Sequence, residues 1–191
     1  MELRERQKLI IAVSGASGSV YARVLMEELG AYRHQFEECA VIFTSSAEKV
    51  WRYELGGSPA VPDYFRRYQN DDLFAPPASG SAGYTTMIII PCSMGMMGRI
   101  AHGAAGDLIS RAADVMLKER RKLILVTREM PLNLIHIRNM KTLTLAGAVI
   151  CPASPSFYSL PADMDSLIRT VTGKVLELGG IARSNFEWGK S

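Results

Sequence analysis

Very little in this chain marks a special environment. Its 191 residues hold only three cysteines, and Cys39, Cys92 and Cys151 are widely spaced, each set in an apolar run. An odd, scattered set suits reduced, buried thiols better than a disulfide framework or a metal site. Histidine is equally sparse: His34, His102 and His136 lack metal-ligand spacing, and none lies near a Ser or Cys nucleophile in sequence, so no metal is expected. Charge of one sign is not in excess. Against 22 Lys and Arg stand 19 Asp and Glu, too small an imbalance to suggest a nucleic-acid partner. No apolar run approaches the ~20 residues of a membrane-spanning helix, so no membrane is expected. Met1 to Lys8 is charged and does not read as a secretory signal, which places the protein in the cytoplasm. There is no GxGxxG fingerprint and no Walker A lysine, which disfavours a nicotinamide dinucleotide and ATP. Internal repeats and low-complexity tails are missing as well.

What the chain does have is 48% apolar residues, enough for one full core. Short β-branched runs alternate with longer amphipathic stretches, the pattern of βαβ units around a parallel sheet. The expectation is an α/β protein, one domain over residues 1–191. Strands fall at Leu9 to Ser14, Cys39 to Thr44, Met87 to Pro91, Leu123 to Thr127 and Ala148 to Cys151, each nearly all apolar, as strands buried on both faces must be. A first helix carries Val20, Tyr21, Val24, Leu25 and Leu29 on a face broken only by Glu28, and Gly30 is its stop. Ser45 and Glu48 have capping-box spacing for a second. Gly106 to Glu119 forms another, a further one runs from Pro131 to Leu145, and Asp163 or Asp165 caps the last. The stretch from Gly56 to Thr85, rich in Pro, Gly and Ser, reads as a long loop that is functional or packed against a partner.

In open parallel sheets, ligands bind beyond the carboxyl ends of the strands. That rule collects Gly15, Ala16, Ser17 and Gly18 after the first strand, Thr44 and Ser45 after the second, and Cys92, Ser93, Met94 and Gly95 after the third. Arg128 and Glu129 follow the fourth, and Pro152 to Tyr158 the fifth. Gly15 and Gly18 let the backbone approach a ligand, and amides opening the next helix can hold a phosphate or a flavin edge. Arg111 and Lys118, seven apart, share a helix face that reaches a phosphate or is simply solvated. A charged pair such as Arg128-Glu129 directly after an apolar strand avoids costly burial only at the ligand edge. Cys92 is read as a small residue packed beneath a ligand rather than a reactive thiol. Met94, Met96 and Met97 are core or pocket filler.

Taken in order, these segments resemble the UbiX-type flavin prenyltransferases over nearly the whole chain. The match rests on Gly15-Ala16-Ser17-Gly18 with Tyr21, the loop Pro76 to Ser81, Pro91-Cys92-Ser93, and the block Arg111 to Val115 running to Lys118-Glu119-Arg120-Arg121. It continues through Arg128-Glu129 with Pro131, His136 and Met140, and through Gly147 to Ile150 leading to Phe157-Tyr158. The resemblance implies a three-layer flavodoxin-like fold and a homo-oligomer, typically a dodecamer, holding reduced FMN between subunits. It implies transfer of a dimethylallyl group from dimethylallyl phosphate to the flavin N5, then closure of a fourth ring. The product, prenylated FMN, would serve a UbiD-type decarboxylase. No metal is implied.

By the same resemblance, Gly15, Ala16, Ser17, Thr44, Ser93, Met94, Gly95, Met96 and Arg128 contact FMN. Tyr158 and Lys174 bind dimethylallyl phosphate, with Arg111, Lys118 and Glu129 beside them. Fixed cations and an acid suit a departing phosphate. Ser17 with Glu54 would relay the N5 proton, and Tyr158 and Trp188 offer aromatic faces to developing cation character. Thr44 stands where many members have Ser, and Lys174 where some have Arg, which keeps charge but loses a bidentate fork. Two alternatives are an FMN-dependent decarboxylase of the cysteine-decarboxylase group, whose PASANT-like motif is replaced here by Pro91 to Gly95, and a flavin carrier.

Overall fold

A computed structural model describes residues 6–181 of the chain. Its order is β1 (Gln7–Val13), α1 (Ser19–Gly30), β2 (Phe36–Phe43), α2 (Ser45–Leu55), β3 (Phe65–Tyr68), β4 (Thr86–Cys92), α3 (Met94–Ala101), α4 (Leu108–Lys118), β5 (Lys122–Thr127), α5 (Leu134–Leu145), β6 (Val149–Pro152) and α6 (Met164–Leu178). All six strands are parallel, in the order β3-β2-β1-β4-β5-β6. This is the doubly wound arrangement, whose direction of winding reverses between β1 and β4.

Strand periodicity divides the core. On β1, Leu9, Ile11 and Val13 face one cluster with Leu25 and Leu29 of α1, Trp51 of α2 and Val175 of α6. Ile10 and Ala12 face the other, with Met97 and Ile100 of α3, Ile109 and Ala112 of α4 and Leu143 of α5. Three layers result, α1, α2 and α6 on one side and α3, α4 and α5 on the other. Each Leu or Ile buried this completely stabilises the fold by ~1.5–3 kcal/mol before entropy is counted. No described helix is long and apolar enough to cross a membrane.

Several local readings are corrected. The segment from Gly56 to Thr85 is not all loop: it contains β3, a four-residue edge strand whose Arg66 and Arg67 are exposed. Its shortness and charge hide it from a hydrophobic pattern, as edge strands often do. Beyond β3 the chain crosses the α4 side as a strap. The Leu108 amide donates to the Asn70 carbonyl at 2.8 Å, Arg111 Nε to Ala78 O at 3.2 Å, and Arg121 to Gly80 O and Tyr84 O at 2.8 and 3.1 Å. The hydroxyls of Tyr84 and Tyr68 both donate to Glu38 Oε1, at 2.8 and 3.1 Å, fastening the strap's two ends to β2.

Met94, Met96 and Met97 do fill the core, but as part of α3, a helix too short for its period to stand out. Thr44, not Ser45, caps α2, its hydroxyl accepting from the Ala47 amide at 3.0 Å. Asp107 caps α4 and Asn133 caps α5, leaving Gly106 and Pro131 outside their helices. Asp163 rather than Asp165 caps α6. In each case the residue with the side-chain acceptor at the right register wins the orphan amide.

Cys39, Cys92 and Cys151 are all buried, and desolvation raises each thiol, to about 11 for Cys39 and about 12 for Cys92. A protonated, inaccessible thiol is a poor nucleophile. The native chain should therefore show no rapidly reacting thiol towards Ellman's reagent and three after denaturation in guanidinium chloride; one fast native thiol would contradict this packing.

Candidate functional site

The winding reversal opens a crevice above β1 and β4, and three connections meet there. The first is the turn after β1. Gly15 passes so close to α2 that an added Cβ would lie 2.4 Å from Ser46 Oγ. Gly18 takes φ 109°, a left-handed conformation that admits glycine readily. The sequence reading gave the amides opening α1 to a ligand, but the structure gives them to Glu54. Its carboxylate accepts from Gly18 N at 3.0 Å and from Ser19 N at 2.8 Å.

Glu54 is an α2 residue acting as the N-terminal cap of α1, so that end of α1 already holds its negative charge. Partial burial raises the Glu54 carboxyl, but hydrogen bonds from the Ser17 hydroxyl and from the Ser19 and Gly18 amides outweigh it and leave the group below its ordinary value. Ser17 and Glu54, paired by resemblance, thus lie close enough for the Ser17 hydroxyl to influence the carboxyl.

The second and third connections open α2 and α3. Thr44 Oγ1 lies 3.0 Å from Ser46 Oγ while capping Ala47, and Ser93 Oγ accepts from the Met96 amide at 3.2 Å. Helix geometry leaves the Ser45, Ser46, Met94 and Gly95 amides without intrahelical acceptors. These two helix ends, not α1, are the ones whose first amides remain open towards the crevice, the arrangement that suits an anion. The space beside Gly95 is open, with nothing within 4 Å of a built Cβ, whereas Met94 and Met96 are buried beneath it. Cys92 is wholly buried below the same turn.

Arg128 reaches the crevice from β5. Its Cγ lies 3.9 Å from the Cβ position of Gly18, and it partly offsets the rise that burial imposes on the Tyr21 hydroxyl. Among the described residues its guanidinium has no ion-pair partner. Glu129 is exposed and accepts from the Met130 amide at 3.2 Å. The Ala153 amide donates to Thr127 O at 2.8 Å, which ties the chain after β6, leading to Tyr158, to the strand end that carries Arg128.

The other expected phosphate ligands do not converge in one chain. Lys118 ends α4, just before β5 begins, and Arg128 follows the end of β5; six residues of strand, ~20 Å, separate the two levels. Lys118 is paired with Glu119 at 2.6 Å, Arg111 with Asp114 at 3.0 Å, and Lys174, far along α6, with Glu177 at 2.7 Å. Trp188 lies outside the described residues. Sequence reasoning missed Ser46 and Ser14. The second had a signal: a hydroxyl ending an otherwise apolar buried strand must find partners.

A chain-reversal crevice with two helix N-termini, a row of hydroxyls, close-approach glycines and one unpaired arginine defines an α/β protein built to hold a phosphorylated, planar ligand. The Flavoprotein family model matches residues 2–176, so the class is that of the flavoproteins. Flavin prenyltransferase UbiX of Methanocaldococcus jannaschii is 41% identical over 188 residues, covering 95% of this chain and 98% of that protein. The solved structure of AnUbiX in complex with FMN and dimethylallyl pyrophosphate superposes with a TM-score of 0.84 at 39% identity, over 96% of this chain and 100% of that one. A dodecameric FMN-dependent UbiX-like decarboxylase from Escherichia coli O157:H7 gives 0.83 at 34% identity, over 95% and 99%. The chain belongs to the UbiX family of flavin prenyltransferases.

The Glu54 cap has a pH signature. A carboxylate held below its ordinary value of 4.5 contributes stability that is present above that value and lost as pH falls through the lower, folded one. Glu54→Gln should melt below the unaltered chain at pH 7, with the gap closing as pH drops under about 4. A gap that does not change with pH would remove the carboxylate from the cap.

Proposed function

We propose that this chain joins a dimethylallyl group to reduced FMN, and that its strand-end crevice is the flavin site. The observation that carries the reading is the double helix terminus at Thr44-Ser46 and Ser93-Gly95 facing the Gly15–Ser17 turn and Arg128. Those amides and hydroxyls suit a phosphate and the polar edge of an isoalloxazine, and the buried Met94 and Met96 supply a floor for its planar ring. Reduced FMN supplies a nucleophilic ring nitrogen, N5, at which the new carbon–nitrogen bond forms before a fourth ring closes.

The chain's own groups handle charge and protons. As the allylic carbon–oxygen bond breaks, phosphate leaves with the electron pair, and fixed cations lower the cost of its departure. Arg128 serves this role from within one chain, with Glu129 as the acid beside it. Ser17 takes the proton lost at N5 and passes it to Glu54, whose lowered carboxyl is ionised at neutral pH and able to accept it. Tyr158 presents an aromatic face to the allylic carbon as it gains positive character. Such a scheme uses no metal.

Lys118, Arg111 and Lys174 enter this site from neighbouring copies in a homo-oligomer, a dodecamer by analogy with the E. coli O157:H7 protein. The separation of Lys118 from Arg128 along β5 supports a supply from outside the chain. So does the apolar surface at Met130, Leu132, Leu134, Ile135, Ile137 and Leu145, which a lone chain exposes to water. The product would pass to a UbiD-type decarboxylase in the cytoplasm.

The decisive measurement is the mass of the flavin extracted after anaerobic incubation of the FMN-reduced protein with dimethylallyl phosphate, and in parallel with the diphosphate. A gain equal to one dimethylallyl unit is expected; an unchanged flavin with both donors would overturn the reading in favour of a decarboxylase or a carrier. Glu129→Gln should keep its FMN affinity and slow the transfer at least ~100-fold, the lower end of the usual contribution of a general acid. Undiminished turnover would take Glu129 out of the mechanism.

A further inference from the structure

The floor of the crevice contains a polar group to which the proposed chemistry assigns no part. Ser14 follows β1 directly and is only 2% exposed. The regular β1–β4 register ends at Ala12 and Ile89, two residues short of Pro91, which has no N–H to give. Ser14 continues the join by another route. Its amide donates to Pro91 O at 3.2 Å, and its hydroxyl donates to the same oxygen at 2.9 Å. The hydroxyl in turn accepts from the Ser93 amide at 2.7 Å.

Each of these bonds has a consequence at the surface. The Ser93 amide is the one preceding α3, so holding it sets the direction from which that helix starts and where the Met94 and Gly95 amides point. Ser14 O accepts from the Ala16 amide at 2.8 Å, which bends the chain into the Gly15–Ser17 turn. One buried residue therefore sets the distance between the two loops that form opposite walls of the crevice.

We infer that Ser14 is a positioning residue for flavin: it touches no ligand, and it acts through Ser93 by holding the α3 terminus at the spacing that FMN requires. This rests on the flavin site proposed above. Removing the hydroxyl leaves the part-buried Ser93 amide without its acceptor, while the Pro91 carbonyl keeps the Ser14 amide, and the loop then relaxes to satisfy the amide elsewhere.

The test is a titration of the apo-protein with FMN, followed by flavin fluorescence, alongside thermal melts. Ser14→Ala should bind FMN about tenfold more weakly, and Ser14→Thr, which keeps the hydroxyl, should recover most of that loss. Thr172→Ala serves as the structural control. Thr172 is fully buried, and its hydroxyl donates to Glu28 between α1 and α6, outside the crevice. Its melting point should fall while its FMN affinity holds.

If Ser14→Ala does not fold, Ser14→Cys replaces it, since a thiol is a poor donor and acceptor of similar size; weakened FMN binding is again expected. An FMN affinity for Ser14→Ala or Ser14→Cys equal to that of the unaltered chain overturns the inference, as does an equal loss in Thr172→Ala. Should the unaltered chain bind FMN yet transfer no prenyl group, the enzymatic reading fails while the comparison of affinities still decides the role of Ser14.

Discussion

The site depends on a constraint of parallel sheets: where the winding direction reverses, two neighbouring strands send their connections to opposite faces. Here the strands are β1 and β4. The gap between them is space that no connection crosses, so two turns and two helix ends line it without further instruction. The difficulty is to keep such a gap at a definite width, because the ladder that unites the strands stops before the crevice begins. In this molecule the join beyond the ladder is made by Ser14 with Pro91 and Ser93. Burial makes those bonds strict, since water cannot replace them.

Charge is distributed around the gap with equal economy. Three helices open at this edge near the crevice, and each terminus carries partial positive charge. One of them, α1, is neutralised from within by Glu54. The remaining two, at Thr44 and Ser93, cap only their third amides and leave the first two without an intrahelical acceptor. On the function proposed, the division separates a place for a phosphate from a place for a carboxylate that can exchange a proton with Ser17. A second anion at the mouth of α1 would meet Glu54 at close range, so the two roles do not compete for the same amides.

The expected donor-binding cations show where a single chain stops being sufficient. Lys118 lies at the level where β5 begins and Arg128 at the level where it ends, and no side chain spans that distance. Arg111, Lys118 and Lys174 are meanwhile held by Asp114, Glu119 and Glu177, in partly or largely exposed pairs. Pairs of this kind are weak in water and exchange partners easily. A protein with such cations on its outside and apolar residues along α5 is suited to completing a polar site when copies associate.

How much of this was legible from residues alone varies with how local the cause is. The core strands were, because a run such as Leu9 to Val13 has no stable position except between two layers. The strand-end candidates were too, since the rule that ligands sit beyond the carboxyl ends needs only strand order and direction. The edge strand at Phe65–Tyr68 was not, because its charges answer to solvent rather than to the core. The short α3 was not, since eight residues hold barely two turns of periodicity.

By itself, then, the sequence determined the layer architecture, the edge of the sheet at which the candidate residues gather, and through its ordered motifs the resemblance to flavin prenyltransferases. Those depend on periodicity and on residue type. The tertiary structure alone decided that Glu54 takes the amides of α1, that Ser46 crowds Gly15, that Ser14 ties β1 to β4, and that Lys118 lies a strand's length from Arg128. Each of these is a meeting, or a separation, of groups distant along the chain, and only the path of the backbone through space sets the distance between them.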